Sequence, residues 1–220
     1  MKNNTNILIY TFLLVNSFFC LLLYAAFLLG WIQQVFSSDS SYLSYVICMI
    51  FFIIWILSIF AALWINKEIS YLNSNNGNGM ANDYINLVKN KFAAGKSINY
   101  DHSLLANTFQ VKLYLKIKYI SYAANLLILL GLIGTVIGFI IAVGGLGDSL
   151  AGGQNLSRVQ TVLGQIVNGM GVALFTTLLG SIFGGIWLQL HYEILSNFIE
   201  KFVINVIEKV ESEIIPNIDK

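Results

Sequence analysis

The sequence predicts an all-α, polytopic membrane protein with four transmembrane helices and helical cytoplasmic extensions. Three observations carry that expectation. Of 220 residues, 57% are hydrophobic and only 10% charged, where an ordinary soluble domain has about 25% charged residues. Four segments each supply the roughly 20 apolar residues that a helix needs to cross a bilayer core about 30 Å thick. The basic residues fall almost entirely on one side of those segments, as the orientation rule for membrane proteins demands.

The apolar segments are 7–31, 42–65, 119–143 and 162–190. The first is too long for the apolar part of a cleaved leader and lacks a small-residue cleavage site, so it is expected to remain as a span. Cys20 and Cys48 both lie in apolar runs and are expected to be inert filler, in neither a disulfide nor a metal site. The lone proline, Pro216, suits a chain of uninterrupted helices. With a net charge of +1, nothing in the total favours nucleic-acid binding.

Lys2 precedes the first span, and seven lysines, from Lys67 to Lys118, lie between the second and third. Lys201, Lys209 and Lys220 follow the fourth, which leaves Arg158 alone on the other side. Both termini and the inner loop are therefore expected in the cytoplasm. The chain divides into an N-terminal hairpin (1–66), a cytoplasmic loop (67–117), a helix pair (118–191) and a tail (192–220). Outer loops are expected at 33–41 and 144–161.

The inner loop opens on an Asn/Gly-rich linker, 73–79, that has no means of folding alone. Asp83 is expected to cap a short helix ending near Gly95. Asp101 is expected to cap a second helix running unbroken into the third span, with His102 solvated near its start. In the tail, Leu195, Ile199, Phe202, Val206 and Val210 recur at helical spacing. That stripe predicts an amphipathic helix continuing the fourth span. It requires a partner surface in the inner loop or a neighbouring subunit, or else lies flat on the membrane.

The last two spans differ in kind from the first two. They and their connecting loop hold 14 of the 18 glycines, whereas the first two are bulky, with runs such as Phe51-Phe-Ile-Ile-Trp55. Bulky apolar surface suits lipid, and small residues suit close helix contact. Gly131, Thr135, Gly138, Ala142 and Gly145 form one helical stripe; Gly169, Ala173, Thr177, Gly180 and Gly184 form another. Thr176 stands beside the second. Tight packing, with each hydroxyl bonded back to its own helix, explains the stripes as readily as a polar path does.

No Asp, Glu, Lys, Arg or His lies in the apolar part of any span. Ion movement by protonation ordinarily needs an intramembrane carboxylate. Either no ion moves, or another chain supplies the carboxylate. The polar lining on offer is Thr135, Thr176, Thr177, Asn168 and Gln165.

Leu130-Gly-Leu-Ile-Gly-Thr-Val-Ile-Gly138 and Gly169-Met-Gly-Val-Ala-Leu-Phe-Thr-Thr-Leu-Leu-Gly180 resemble successive span motifs of the MotA/TolQ/ExbB proton-channel family. The resemblance covers roughly 119–195. It implies a ring, expected to be a pentamer, around two copies of a single-span MotB/TolR/ExbD-like partner whose Asp carries the ion. It implies a bacterial inner-membrane location, no cofactor beyond the transported H+ or Na+, and no enzymatic activity. The family's pathway threonines map onto Thr135 and Thr177. The Thr176-Thr177 pair resembles sodium-driven relatives, and proton-driven ones often have Ala or Gly at the first position; the proton is weakly favoured. The inner loop is shorter than that of flagellar stators, and TolQ and ExbB members usually have three spans. A non-conducting oligomeric scaffold is the alternative. A transporter fits poorly without inverted repeats, broken helices or a buried charged pair. An intramembrane enzyme lacks a nucleophile–base pair or metal cluster.

Overall fold

The computed structural model describes residues 7–74, 79–93, 102–150 and 156–214. All regular structure among them is helical. In chain order the helices are α1 (Ile7–Leu28), α2 (Trp31–Ser38), α3 (Leu43–Ser74), α4 (Met80–Ala93), α5 (His102–Leu115), α6 (Lys118–Leu150), α7 (Leu156–Gly180) and α8 (Gln189–Lys209). Four are long and apolar enough to span a membrane: α1, α3, α6 and the helical run that begins in α7. These make the chain a multi-pass membrane protein, as expected. Cys20 and Cys48 are both free thiols.

The described residues form two compact units. One comprises parts of 15–56 and 120–190 and contains the α6–α7 pair. There Phe51 stacks on Phe183 at 4.2 Å, and Phe19 stacks on Trp187 at 4.6 Å. Trp55 Nε1 donates to Asn16 Oδ1 at 2.6 Å. In a medium without water such a bond between helices contributes about 0.6–2 kcal/mol. Between α7 and α8 the backbone widens into a π-helix over Ser181–Leu188, closed by the Gln189 N–H on Gly184 O. The wider turn buries Phe183, Gly184, Trp187 and Leu188 together, which a uniform 3.6-residue turn does not predict.

The expected outer loop at 33–41 is mostly helix. Gly30, at φ +76°, turns the chain from α1 into α2. Asp39 then organises the start of α3. Its Oδ1 accepts the Ser41 N–H at 3.0 Å and the Ser41 hydroxyl at 2.6 Å, and its Oδ2 accepts the Ser44 N–H at 2.6 Å. These bonds satisfy a donor that the first turn of α3 leaves without an intrahelical partner. Burial alone would raise the Asp39 pKa, but the hydrogen bonds from Ser41 and Ser44 outweigh it and hold the carboxyl below its ordinary value of 3.8. The other outer connection is also shorter than expected, since α6 extends to Leu150 and α7 begins at Leu156.

The second unit holds described residues of 1–14, 57–119 and 191–220. The tail stripe is satisfied within it. Leu195, Ile199, Phe202, Val206 and Val210 are all buried, with Phe202 6.3 Å from Phe109 of α5 and Phe109 stacked on Tyr84 of α4 at 5.0 Å. The partner surface is thus the chain's own inner loop.

Two local expectations are corrected. Asp83 does not cap α4 but lies inside its first turn. The cap comes from α3, where Glu68 Oε2 accepts the Met80 N–H at 3.0 Å. Gly79 permits that approach, because its φ is +116° and a Cβ there would lie 2.7 Å from Glu68 Oε2. Helix α5 does not run unbroken into α6. It ends in a tight turn, with the Lys116 N–H on Leu113 O and the Ile117 N–H on Tyr114 O, both at 3.1 Å. Ile117 is fully buried at the break and anchors it. Gly95 and Asp101 lie outside the described residues.

Candidate functional site

The two small-residue stripes face each other within one chain. A methyl group built on Gly131 would lie 3.0 Å from Thr176 O and 3.2 Å from Thr177 Cα; one on Gly180 would lie 2.6 Å from Leu127 O. Further along, a methyl on Gly138 would meet Gly169 O and stand 2.5 Å from Ala173 N. One on Gly169 would stand 2.5 Å from both Gly138 O and Ala142 N. Gly184 abuts Ala124 O. The pairs descend on α7 as they ascend on α6, so the helices are antiparallel and in near backbone contact. Small residues are required there because only they leave room for the facing main chain.

This seam decides where the threonines point. Thr176 is fully buried, and its hydroxyl donates to Val172 O at 2.8 Å and Ala173 O at 3.3 Å. It faces Gly134, where even one added carbon would meet the Thr176 side chain. Thr135 and Thr177 sit elsewhere on the same seam. Thr135 is half-buried and Thr177 exposed, and their hydroxyl oxygens are 3.2 Å apart. Thr177 donates to Gly131 O across the seam at 3.0 Å. Thr135 reaches Leu132 O at 2.7 Å and Gly131 O at 3.3 Å. The structure therefore brings Thr135 and Thr177 together and turns Thr176 away from them.

The chemistry of the pair follows from counting protons. Each hydroxyl has one proton and two lone pairs. Whether each proton goes to a main-chain carbonyl or to the other hydroxyl, the pair keeps lone pairs free to accept. Such a pair welcomes a cation or an acid O–H placed beside it. The side chains around it are apolar and exposed: Leu132 and Phe139 on α6, Leu174 and Leu178 on α7. The pair is thus a polar spot among exposed apolar side chains.

Of the remaining polar residues, Asn168 Nδ2 donates to Ser40 Oγ at 3.4 Å, which helps tie α7 to the segment between α2 and α3, and Gln165 is exposed. Among the described residues, no three His, Cys, Asp or Glu side chains gather as metal ligands. Sequence reasoning missed His191. It is fully buried, with Nδ1 3.2 Å from Ser58 Oγ and its ring stacked on Phe12 at 4.4 Å. Its Nε2 has no hydrogen-bond partner. Its place at the end of an apolar run gave no hint of that burial.

Residues 103–208 match the MotA/TolQ/ExbB proton channel family. The matched stretch runs from α5 through most of α8 and includes the whole seam. No curated protein and no solved structure matches the chain.

Proposed function

Since residues 103–208 carry the sequence of the MotA/TolQ/ExbB proton channel family, we propose that this chain is the ion-conducting ring subunit of a motor driven by the ion-motive force. Five copies surround the spans of two partner subunits, each with one transmembrane helix, in a bacterial inner membrane with both termini cytoplasmic. The partner's Asp carries the ion, and the ring converts its passage into rotation or force on the partner. The supporting observation is the Thr135–Thr177 pair, two hydroxyl oxygens 3.2 Å apart at an apolar rim.

The pair suits a proton delivered on a carboxylic acid, whose O–H would donate to a threonine oxygen. It suits Na+ less well, because two oxygens are a small part of the shell such an ion needs. Proton drive is therefore favoured. Thr176 is fully buried against Gly134 and away from the rim, so its role in this reading is to seat Gly134 against α7. The glycine and alanine stripes hold the helix pair together and present its rim to the partner.

One observation favours the scaffold alternative. The stripes are consumed by packing inside the chain, so they do not by themselves require a channel. Native mass spectrometry in mild detergent separates the readings, with the chain expressed alone and with its genomic neighbour. A pentamer that captures two copies of a single-span, Asp-bearing protein is expected. An oligomer that ignores such a neighbour would favour the scaffold.

A further inference from the structure

Outside the seam, the densest unexplained feature is a basic and aromatic surface in the unit that holds the inner loop. Lys112 and Lys116 are one helical turn apart, at the end of α5 and in the turn that follows it, and Lys118 begins α6. All three are exposed, as is Lys67 on α3. The break between α5 and α6 lays Lys116 Nζ over the Trp64 ring at 5.8 Å; one turn further along α3, Lys67 Nζ lies over Tyr71 at 5.6 Å. Two helices thus contribute to one patch.

Lys112, Lys116 and Lys118 have no acidic neighbour in α5, the turn or α6 before Asp148, whereas Lys67 lies within electrostatic reach of Glu68. From His102 to Gly147 the sequence has no Asp or Glu. Glu68, adjacent to Lys67, is buried and committed to the Met80 N–H. Exposed apolar side chains interleave with the ammonium groups: Val111 and Leu115 on α5, Phe60 and Leu63 on α3. Tyr119 donates its hydroxyl to Leu57 O at 2.9 Å, placing another aromatic against α3, two turns before Trp64. A soluble surface would not alternate in this way. Lysines above exposed Phe and Leu, with Trp and Tyr between, match the boundary between headgroups and acyl chains.

We propose that this patch binds an anionic phospholipid, its phosphate held by Lys67, Lys112 and Lys116 and its acyl chains lying on Phe60 and Leu63. The α5–α6 turn is the device that builds the site, because a continuous helix would carry Lys116 along a different line from Trp64. An anionic headgroup adds negative charge beside three exposed lysines, and each lysine near an anionic surface is worth about a five-fold change in binding.

The test uses the full-length chain in nanodiscs of equal phosphatidylglycerol and phosphatidylcholine, released into native mass spectrometry. Wild type is expected to retain phosphatidylglycerol in preference to phosphatidylcholine. Lys67→Gln, Lys112→Gln and Lys116→Gln should each lower that preference about five-fold, whereas Lys201→Gln, in the tail, should not. Equal retention of the two lipids by wild type would overturn the proposal. So would a preference that survives the triple substitution, or an oligomer that falls apart in the triple variant while lipid retention stays unchanged, which would assign the lysines to a neighbouring subunit. The oligomeric state of each variant, read in the same spectra, reports whether it is folded.

Discussion

At the scale of single residues, the seam sets sharp limits on substitution. Gly138 and Gly169 face main-chain atoms, so no rotamer change relieves an added side chain. Gly138→Val or Gly169→Val should cost at least about 2 kcal/mol, at the upper end of overpacking, seen as a lower melting temperature in detergent. Gly164 has nothing within 4 Å of a built Cβ, and Gly164→Ala should leave melting unchanged. Equal losses at Gly138 and Gly164 would mean the seam is not close-packed. The spacing of the stripes made close helix packing one of two readings, beside a polar path, and the facing main chain supports the packing. Thr176 was harder. One residue apart from Thr177 on a helix means about 100° of rotation, which separates a rim position from a buried one, and sequence alone does not say which threonine takes which.

Among the elements, α3 and α4 both begin on side chains from before the helix, but at different ranges. Asp39 lies close in sequence to Ser44 and could have been read as a cap; Glu68 is twelve residues from Met80, beyond any local rule. Asp39→Asn replaces one of two accepting oxygens with a donor and should destabilise the protein by about 1 kcal/mol near neutral pH. The Asp39 carboxyl is held below its ordinary value in the folded chain, so its contribution is present above the unfolded value of 3.8 and fades as pH falls through the lower, folded value. Thermal melts of wild type and Asp39→Asn should converge in that acidic window, and a gap that widens there would contradict the capping role. The α5–α6 break was also illegible. No Gly or Pro marks it, and the buried Ile117 that fixes it looks in sequence like any other apolar residue of a helix. The same holds for the π-helix at Ser181–Leu188, which buries Phe183 and Trp187.

For the whole molecule, the four spans were legible because length and hydropathy decide them almost alone. Sidedness rests on eleven lysines against Arg158. In a background of Cys20→Ser and Cys48→Ser, a membrane-impermeant maleimide should label Ser37→Cys in intact cells and Ser212→Cys only after permeabilisation. The reverse pattern would invert the topology and place the inner loop and tail outside. What the sequence left open, whether the tail stripe needs another subunit, the fold answers through Phe109 and Phe202. The proposed partner contact is the exposed rim around Thr135 and Thr177.

Ion flux through the chain reconstituted with its single-span partner tests this most directly. Loss of a hydrogen bond to a charged or acidic group is worth about 1.5–3 kcal/mol, roughly tenfold or more in rate. Thr177→Val and Thr135→Val should therefore lower voltage-driven flux at least about tenfold, with the oligomer intact by native mass spectrometry. Full flux in either intact variant would remove that hydroxyl from the path, and full flux in both would leave the seam as packing alone.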